Sequence, residues 1–478
     1  MRKTFESQTS MLYVPIPEVK LPLNSRDELP PILLGLQWIF TEDELRDTIL
    51  KIIGDEVSHG KKRTGRHGMN YWQILVLGTI RLGLNADFDR VEDMANHHIL
   101  IRQIMGVEGI DGVGKKFSHQ SIKDNLTYFT DDMLTKINML VVKHGHEKIF
   151  LLKANEGLSI KTDSYAFETN VHFPSDMKLL WDAARTCIRL IVNVIDKYNI
   201  IGWRKCKDWF DRIKIQERRT TRVVYLGGKN KEKREKKEVE EYLRLCRELD
   251  KKVCDTILYI IEHGGETAKL LYFQEMLNKH IDLVNRRLLL KETIPHHEKI
   301  HSVFENYTEW LQKGKAGKKV ELGLKHLIST DQFDLIVDYK IMEKIQDVDE
   351  TIAVADRLLD KYRISGISYD KGFSKVGYRD LLELYIPEVA LCKKGKLTKE
   401  EAKNQNREEF KALRKRHAAV ESNINCLENH GLDRCPDKGI DAFKRYAGLG
   451  VLAYNLHKIG NEINRKLKKQ ASKLGMAA

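Results

Sequence analysis

Apolar residues recur three and four places apart through three long stretches of the chain, and between these lie shorter runs rich in β-branched and aromatic residues. Five of the nine prolines (Pro15, Pro17, Pro22, Pro30 and Pro31) crowd the start, so residues 1–40 are expected to form an irregular arm. The helical pattern sets in at "TEDELRDTILKIIGDEV", which opens on Thr41 and an acidic first turn, as a capped helix does. A basic loop follows, Lys61-Lys62-Arg63-Thr64-Gly65-Arg66-His67-Gly68, and then an apolar helix is predicted from Tyr71 to Leu82. "FDRVEDMANHHILIRQIMG" and "SHQSIKDNLTYFTDDMLTKINMLVVKHG" continue as amphipathic segments, the second with Ser118 as N-cap. Short helices around a basic loop suit a helix-turn-helix DNA reader over residues 41–155, and the pattern suits an ordinary helical bundle equally well.

At residue 158 the texture changes. "LSIKTDSYAFETNVHF" predicts a strand over 158–167, with a turn at Pro174. Residues 177–297 return to helical spacing. "KKVELGLKHLIST" and "FDLIVDYKIM", separated by Asp331-Gln332, predict a hairpin; "DETIAVADRLLDKYR" predicts a helix and "ISGISYDKGF" a short strand ending in a turn. From Thr398 onward the chain is helical again. The overall expectation is an α-rich α/β protein.

Composition narrows the class. Glycine and proline together fall below the usual ~12% and 42% of residues are hydrophobic, which argues against a disordered or collagen-like chain. The most apolar run, Ile74 to Ile80, stops at Arg81, far short of the ~20 residues of a membrane span. No apolar leader opens the sequence, so a cytoplasmic location without membrane attachment is expected. Seven cysteines, none in a Cys-x-x-Cys pair, suggest reduced thiols and neither a disulfide framework nor a zinc module. The net charge of +13 favours a polyanionic partner only weakly. Two places concentrate it usefully: the loop at 61–67, with Lys61, Lys62, Arg63 and Arg66, and "RIKIQERRTTR", with Arg212, Arg218 and Arg219. The charge run at 229–241 mixes both signs and is expected to be a solvated face.

Candidate chemistry centres on three acidic residues. Asp163 lies within the first predicted strand. Asp370 lies where the last strand stops, with Gly372 permitting the turn. Glu421 sits in a helical segment whose Ala418, Ala419, Val420 and Ile424 could pack on a sheet. Such a set provides the hard oxygen ligands that hold two magnesium ions ~3.5–4 Å apart for in-line attack on a phosphodiester. Asp338, Asp347 and Asp349 are rivals for the same role.

At these residues the sequence resembles the DDE transposases of bacterial insertion sequences. "TDSYAFETNVHFPSDMKLL" resembles their first-aspartate block through Asp163, Glu168, Asn170, Pro174, Asp176, Leu179 and Leu180, with Tyr165 standing where a Thr or Ser would fall. "SYDKGF" resembles the second block and "HAAVESNINCLENHGLDRC" the third, which gives Asp370 and Glu421 their roles. "FENYTEWLQKGKAGKKVELGLKHLIS" is similar to the second and third strands of that core, and "GRHGMNYWQILVLGTIRLGL" with "FSHQSIKDNL" to the helical DNA-binding domain that often precedes it. The resemblance implies a ribonuclease-H-like mixed sheet over 156–176 and 298–468, a helical insertion at 177–297 between the first and second strands, and a basic tail at 469–478. It further implies two Mg²⁺ ions, with Mn²⁺ able to substitute, on Asp163, Asp370 and Glu421. The implied activity is cleavage at terminal inverted repeats and strand transfer into target DNA, by a homo-oligomer in the synaptic complex and at the nucleoid. A Tyr, Arg and Lys signature of one branch is absent, its positions being Arg414, His417 and Glu428 here. Arg414, Arg416 and His417 remain candidates for phosphate contact. The competing reading is a transposase-derived DNA-binding protein without catalysis.

His297-Glu298-Lys299-Ile300-His301 matches the His-Glu-x-x-His zinc-protease pattern. Pro295 just before it and "SVFENY" just after make a helix there a poor expectation, and a chance match is plausible among 17 histidines.

Overall fold

Asn70 starts the most deeply placed helix of the amino-terminal region. Its side chain accepts from the Gln73 backbone N–H at 2.8 Å while the Gln73 side chain accepts from the Asn70 N–H at 3.3 Å, a reciprocal cap that fixes the first turn. The computed structural model describes residues 3–5, 14–58, 68–107, 115–312 and 320–473. Over them the front of the chain forms α1 (Leu29–Thr41), α2 (Asp43–Ser58), α3 (Tyr71–Gly83), α4 (Phe88–His97), α5 (Ile99–Ile104), α6 (His119–Leu126) and α7 (Asp131–His144). Every residue of α3 is buried. Ser118 caps α6, accepting from the Ser121 N–H.

The expected arm is corrected at its end. α1 begins inside it, with Pro30 and Pro31 in its first turn. Those positions have no intrahelical partner for an N–H, and proline's fixed φ suits them, so the prolines start a helix instead of preventing one. Thr41 accordingly closes α1, and the next helix opens at Asp43.

Contacts divide the chain into two compact units, residues 1–170 with 311–478, and residues 171–310. The second is helical: α8 (Asp176–Val192), α9 (Ile195–Tyr198), α10 (Cys206–Tyr225), α11 (Lys231–Glu262) and α12 (Ala268–Val284). Val239, Tyr242, Leu243, Cys246, Leu249, Val253, Ile257 and Ile260 recur three and four places apart along α11 and are all buried against α10 and α12.

The chain forms a mixed seven-stranded sheet of β1 (Leu158–Thr169), β2 (Glu309–Gln312), β3 (Val320–Thr330), β4 (Ile336–Met342), β5 (Ile364–Tyr369), β6 (Glu388–Ala390) and β7 (Arg434–Cys435), all in the first unit except the start of β2. β1 is central, antiparallel to β3 on one side and parallel to β5 on the other. β4 pairs antiparallel with β3, and β6 parallel with β5. The expected two-residue hairpin turn between β3 and β4 is longer: Asp331 accepts from the N–H groups of Phe333 and Leu335, and Asp334 takes a positive φ of 60°.

The remaining helices are α13 (Asp347–Leu359), α14 (Tyr378–Glu383), α15 (Lys399–Gln405), α16 (Glu408–His417), α17 (Ala419–Leu427) and α18 (Ile440–Lys473). α18 joins the front helices to the sheet. Its Asn455 accepts from the Ile336 N–H of β4 at 2.8 Å and donates to the Asn138 side chain of α7 at 2.8 Å, all of it buried. α1 and α18 approach closely at two glycines. A Cβ on Gly460 would stand 1.8 Å from the Pro31 carbonyl oxygen, and one on Gly35 2.5 Å from that of Leu456.

Candidate active site

Strand pairing brings the two strand-borne aspartates together. Thr162 of β1 faces Tyr369 of β5 in parallel register, so the next residue on each chain is Asp163 and Asp370. Asp163 lies on the central strand and Asp370 just beyond its neighbour's end, where it caps the short turn Lys371–Phe373 and accepts weakly from the Gly372 N–H at 3.4 Å. Arg414 of α16 donates to the Tyr369 carbonyl at 3.0 Å and so braces the residue immediately before Asp370. α17 packs on β1 and carries the exposed Glu421. Its inward Asn423 donates to Thr330 Oγ1 at 3.3 Å and Asp334 Oδ1 at 3.1 Å, which fixes how the helix sits on the sheet.

These groups act on one another. Burial, reinforced by the carboxylates of Asp370, Asp347 and Glu421, pushes the Asp163 carboxyl up to about 7, although the Ser164 N–H on its Oδ1 works the other way. An open cleft of about 500 Å³ is lined by Asp163, Ser164, Lys325, Asp347 and Glu421 among others. Asp370 lies outside that lining, at the strand end alongside.

Asp347, a rival in the sequence, belongs to the same neighbourhood. It accepts from the Ser164 hydroxyl at 2.6 Å and from Lys325 Nζ at 2.7 Å. A Cβ on Gly372 would stand 3.5 Å from Asp347 Oδ2 and 3.8 Å from Asp370 Oδ2, so the two carboxylates flank that glycine. The other rivals lie elsewhere: Asp338 is buried in ion pairs with Arg357 and Lys361, and Asp349 is exposed in the first turn of α13. Lys325 was not singled out in the sequence. Its only signal there is its alternation with apolar neighbours along β3.

The proposed phosphate contacts divide. Arg416 is exposed, with a long contact of 3.5 Å to Ser159 Oγ. His417 is buried, its Nδ1 lies 3.1 Å from Ser368 Oγ, and burial followed by the nearby Arg414 charge holds it down at about 4, so the ring is neutral at pH 7. Arg212, Arg218 and Arg219 are exposed on α10 in the second unit, Arg212 pairing loosely with Asp208 at 3.9 Å. Lys61, Lys62, Arg63 and Arg66 lie outside the described residues.

The His-Glu-x-x-His stretch is not helical. Only His296–Glu298 makes a single short turn, Lys299 is extended, and Glu298 is held by Arg286 at 2.6 Å. Two histidines on one helical face, which that chemistry needs, are therefore missing here.

The carboxylates have the donor type for hard divalent ions, and repulsion among them gives a physical reason to bind cations. Asp163, Asp370 and Glu421 do not converge as a trio to within 4.8 Å; among the described residues that closeness is reached by Cys426, His430 and His457. No helix among the described residues is long and apolar enough to cross a membrane. Comparison of the chain with protein-family models, with curated proteins and with solved structures finds no match.

Proposed function

We propose that this chain is a DDE-type DNA transposase whose ribonuclease-H-like core cuts at the ends of its element and joins them to target DNA. The observation that carries the reading is the β1–β5 register, which sets Asp163 beside Asp370 on the two central parallel strands, with Glu421 and Asp347 close enough to perturb Asp163. The strand arrangement supports it too: β1, β3 and β4 form an antiparallel set, and β5 and β6 extend the sheet in parallel from the other side of β1.

In this reading Asp163, Asp370 and Glu421 hold two Mg²⁺ ions, for which Mn²⁺ can substitute. When bound, the ions activate the attacking oxygen and stabilise the leaving one. The chain's own contribution is placement. β1 and β5 place two carboxylates side by side, Asp163 within β1 and Asp370 just past the end of β5, α17 adds the third, and Lys325 and Ser164 hold Asp347 beside them. Arg414 steadies the strand end before Asp370, and the exposed Arg416 is available to a phosphate. The exposed arginines of α10 supply sequence-independent backbone contacts. α3, buried along its whole length, is not the helix that enters a groove. The working form is a homo-oligomer assembled on paired DNA ends.

The test is cleavage and strand transfer on labelled DNA carrying the sequences that flank the gene, with Mg²⁺ present. Metal-dependent nicking that yields a joined product is expected. A second reading, a transposase-derived DNA-binding protein without catalysis, draws on the exposed positions of Asp370 and Glu421 and the lack of a tight trio. It predicts tight DNA binding with no turnover in any divalent metal.

A further inference from the structure

On the helical segment whose Asn425 and Glu428 line the carboxylate cleft, but apart from the carboxylates themselves, three soft or borderline ligands meet in the first unit. α17 ends at Leu427 and runs into a π-helical turn, Glu428–Leu432, in which Gly431 takes a φ of 91°. The wider turn sets Cys426 Sγ 3.9 Å from Nε2 of His430. His457 of α18 completes the group: its ring centroid lies 5.3 Å from that of His430, and one ligand atom from each of the three residues lies within 4.8 Å of the others. Glu28, which precedes α1, reaches to 3.9 Å from His430 Nε2 with Oε2.

Two features of the group are hard to explain by packing alone. His430 is fully buried, and its Nδ1 has no hydrogen-bond partner; the Nδ1 of His457 is also buried and unpartnered. Leaving such nitrogens unpaired costs about 1–3 kcal/mol each, a cost the chain also bears at His280. His430 would hold a metal ion through Nε2, the nitrogen nearest Cys426 and Glu28, which fixes the ring's tautomer with the proton on Nδ1. Tetrahedral zinc with Zn–S near 2.3 Å and Zn–N near 2.0 Å requires S···N separations of about 3.5 Å. The Cys426–His430 distance needs to contract only slightly to reach that value.

We propose that Cys426, His430 and His457, with Glu28 as fourth ligand, form a structural zinc(II) site. Cys and His donors favour zinc over the magnesium that carboxylates prefer. On binding, the Cys426 S–H bond breaks, its proton leaves to solvent, and a Zn–S bond forms; nothing is oxidised or reduced. The thiolate and the Glu28 carboxylate together neutralise the ion, so the site adds no net positive charge beside Lys458. The ion ties the start of α1, the π-turn after α17 and the middle of α18 into one cross-link. It is independent of the carboxylates proposed for catalysis.

The full chain, purified from zinc-supplemented cells and desalted, should retain about one zinc per chain. Cys426→Ser and His457→Gln should each lower this tenfold or more, whereas Cys392→Ser and Asp163→Asn should leave it unchanged. Retention in Asp163→Asn separates this site from any zinc lodged in the carboxylate cleft. Reconstitution of the wild-type chain with cobalt(II) should give the intense visible bands of a tetrahedral ion together with a thiolate-to-cobalt charge-transfer band. That second measurement stands even if a substituted chain fails to fold. Less than a tenth of an equivalent of zinc in the wild-type chain, a cobalt spectrum without the thiolate band, or full zinc retention in a folded Cys426→Ser variant would each overturn the proposal.

Discussion

The two compact units bury their cores in different ways. In residues 171–310 the helices meet mainly through aliphatic and aromatic stripes, with buried polar bonds set among them such as Tyr242 to the Met177 carbonyl at 3.2 Å and Trp203 to Thr256 at 2.8 Å. In the unit built from residues 1–170 and 311–478, buried polar groups cross between elements: Asn455 ties α18 to β4 and α7, and the buried Arg81 of α3 pairs with Asp437 at 2.7 Å. The same unit carries both groups proposed as metal ligands, the carboxylates and the Cys-His group. Apolar stripes tolerate repacking, whereas a polar cross-link must be satisfied at both ends.

The largest expected break in that contrast is functional. Asp163→Asn, Asp370→Asn and Glu421→Gln should each reduce cleavage and strand transfer on the order of 10³-fold or more, with DNA binding retained in a mobility-shift assay. Full activity in any one of them removes that residue from the site. Next in size is Gly460→Ala. Its methyl group would collide with the Pro31 carbonyl and force α1 from α18, at a cost of about 3 kcal/mol or more in chemical denaturation. Leu243→Ala, in the aliphatic core of the other unit, should cost about 2–4 kcal/mol, and the cleavage proposed for the first unit should survive at temperatures where the protein stays folded.

How far the sequence reaches depends on how local each pattern is. β1, α13 and β5 are legible because their patterns are local: a β-branched run, a helical stripe, a short apolar segment that stops at Asp370. α1 was obscured because Pro30 and Pro31 carry the same letters whether they block a helix or begin one. The adjacency of Asp163 and Asp370 depends on which strands pair, and no local pattern encodes that. Cys426, His430 and His457 lie further out of reach, since one ligand comes from a different helix and the π-turn that aims another departs from ordinary helical spacing.

His280 sharpens the comparison at lower cost. It is fully buried in α12 with neither ring nitrogen bonded, and burial holds it down at about 4. The folded state therefore refuses a proton that the unfolded chain accepts below its ordinary value near 6.5. Stability should fall as pH drops from about 6.5 to 4, on the order of 2 kcal/mol from this group. His280→Leu should lessen the slope by that amount in thermal melts taken across the range, the rest coming from other buried histidines such as His417; an unchanged slope would assign all of it to those groups. The smallest expected effect concerns the surface of α10. Arg218→Glu with Arg219→Glu should weaken DNA binding about tenfold at moderate salt and flatten its salt dependence. Identical binding would leave the second unit without a part in holding DNA.

The placement of α18 has a consequence for synthesis on the ribosome. α3 and α7 pack against this helix, yet α7 ends at His144 and α18 begins only at Ile440. Residues 171–310 can close their own core as soon as they emerge, while the front helices wait for a partner roughly 300 residues downstream, about 15–60 s at ordinary elongation rates. During that interval the faces of α1, α3 and α7 that pack on α18 lack their native cover. Nascent chains stalled before Ile440 should be the ones that chaperones hold, and chains stalled beyond Lys473 the ones they release.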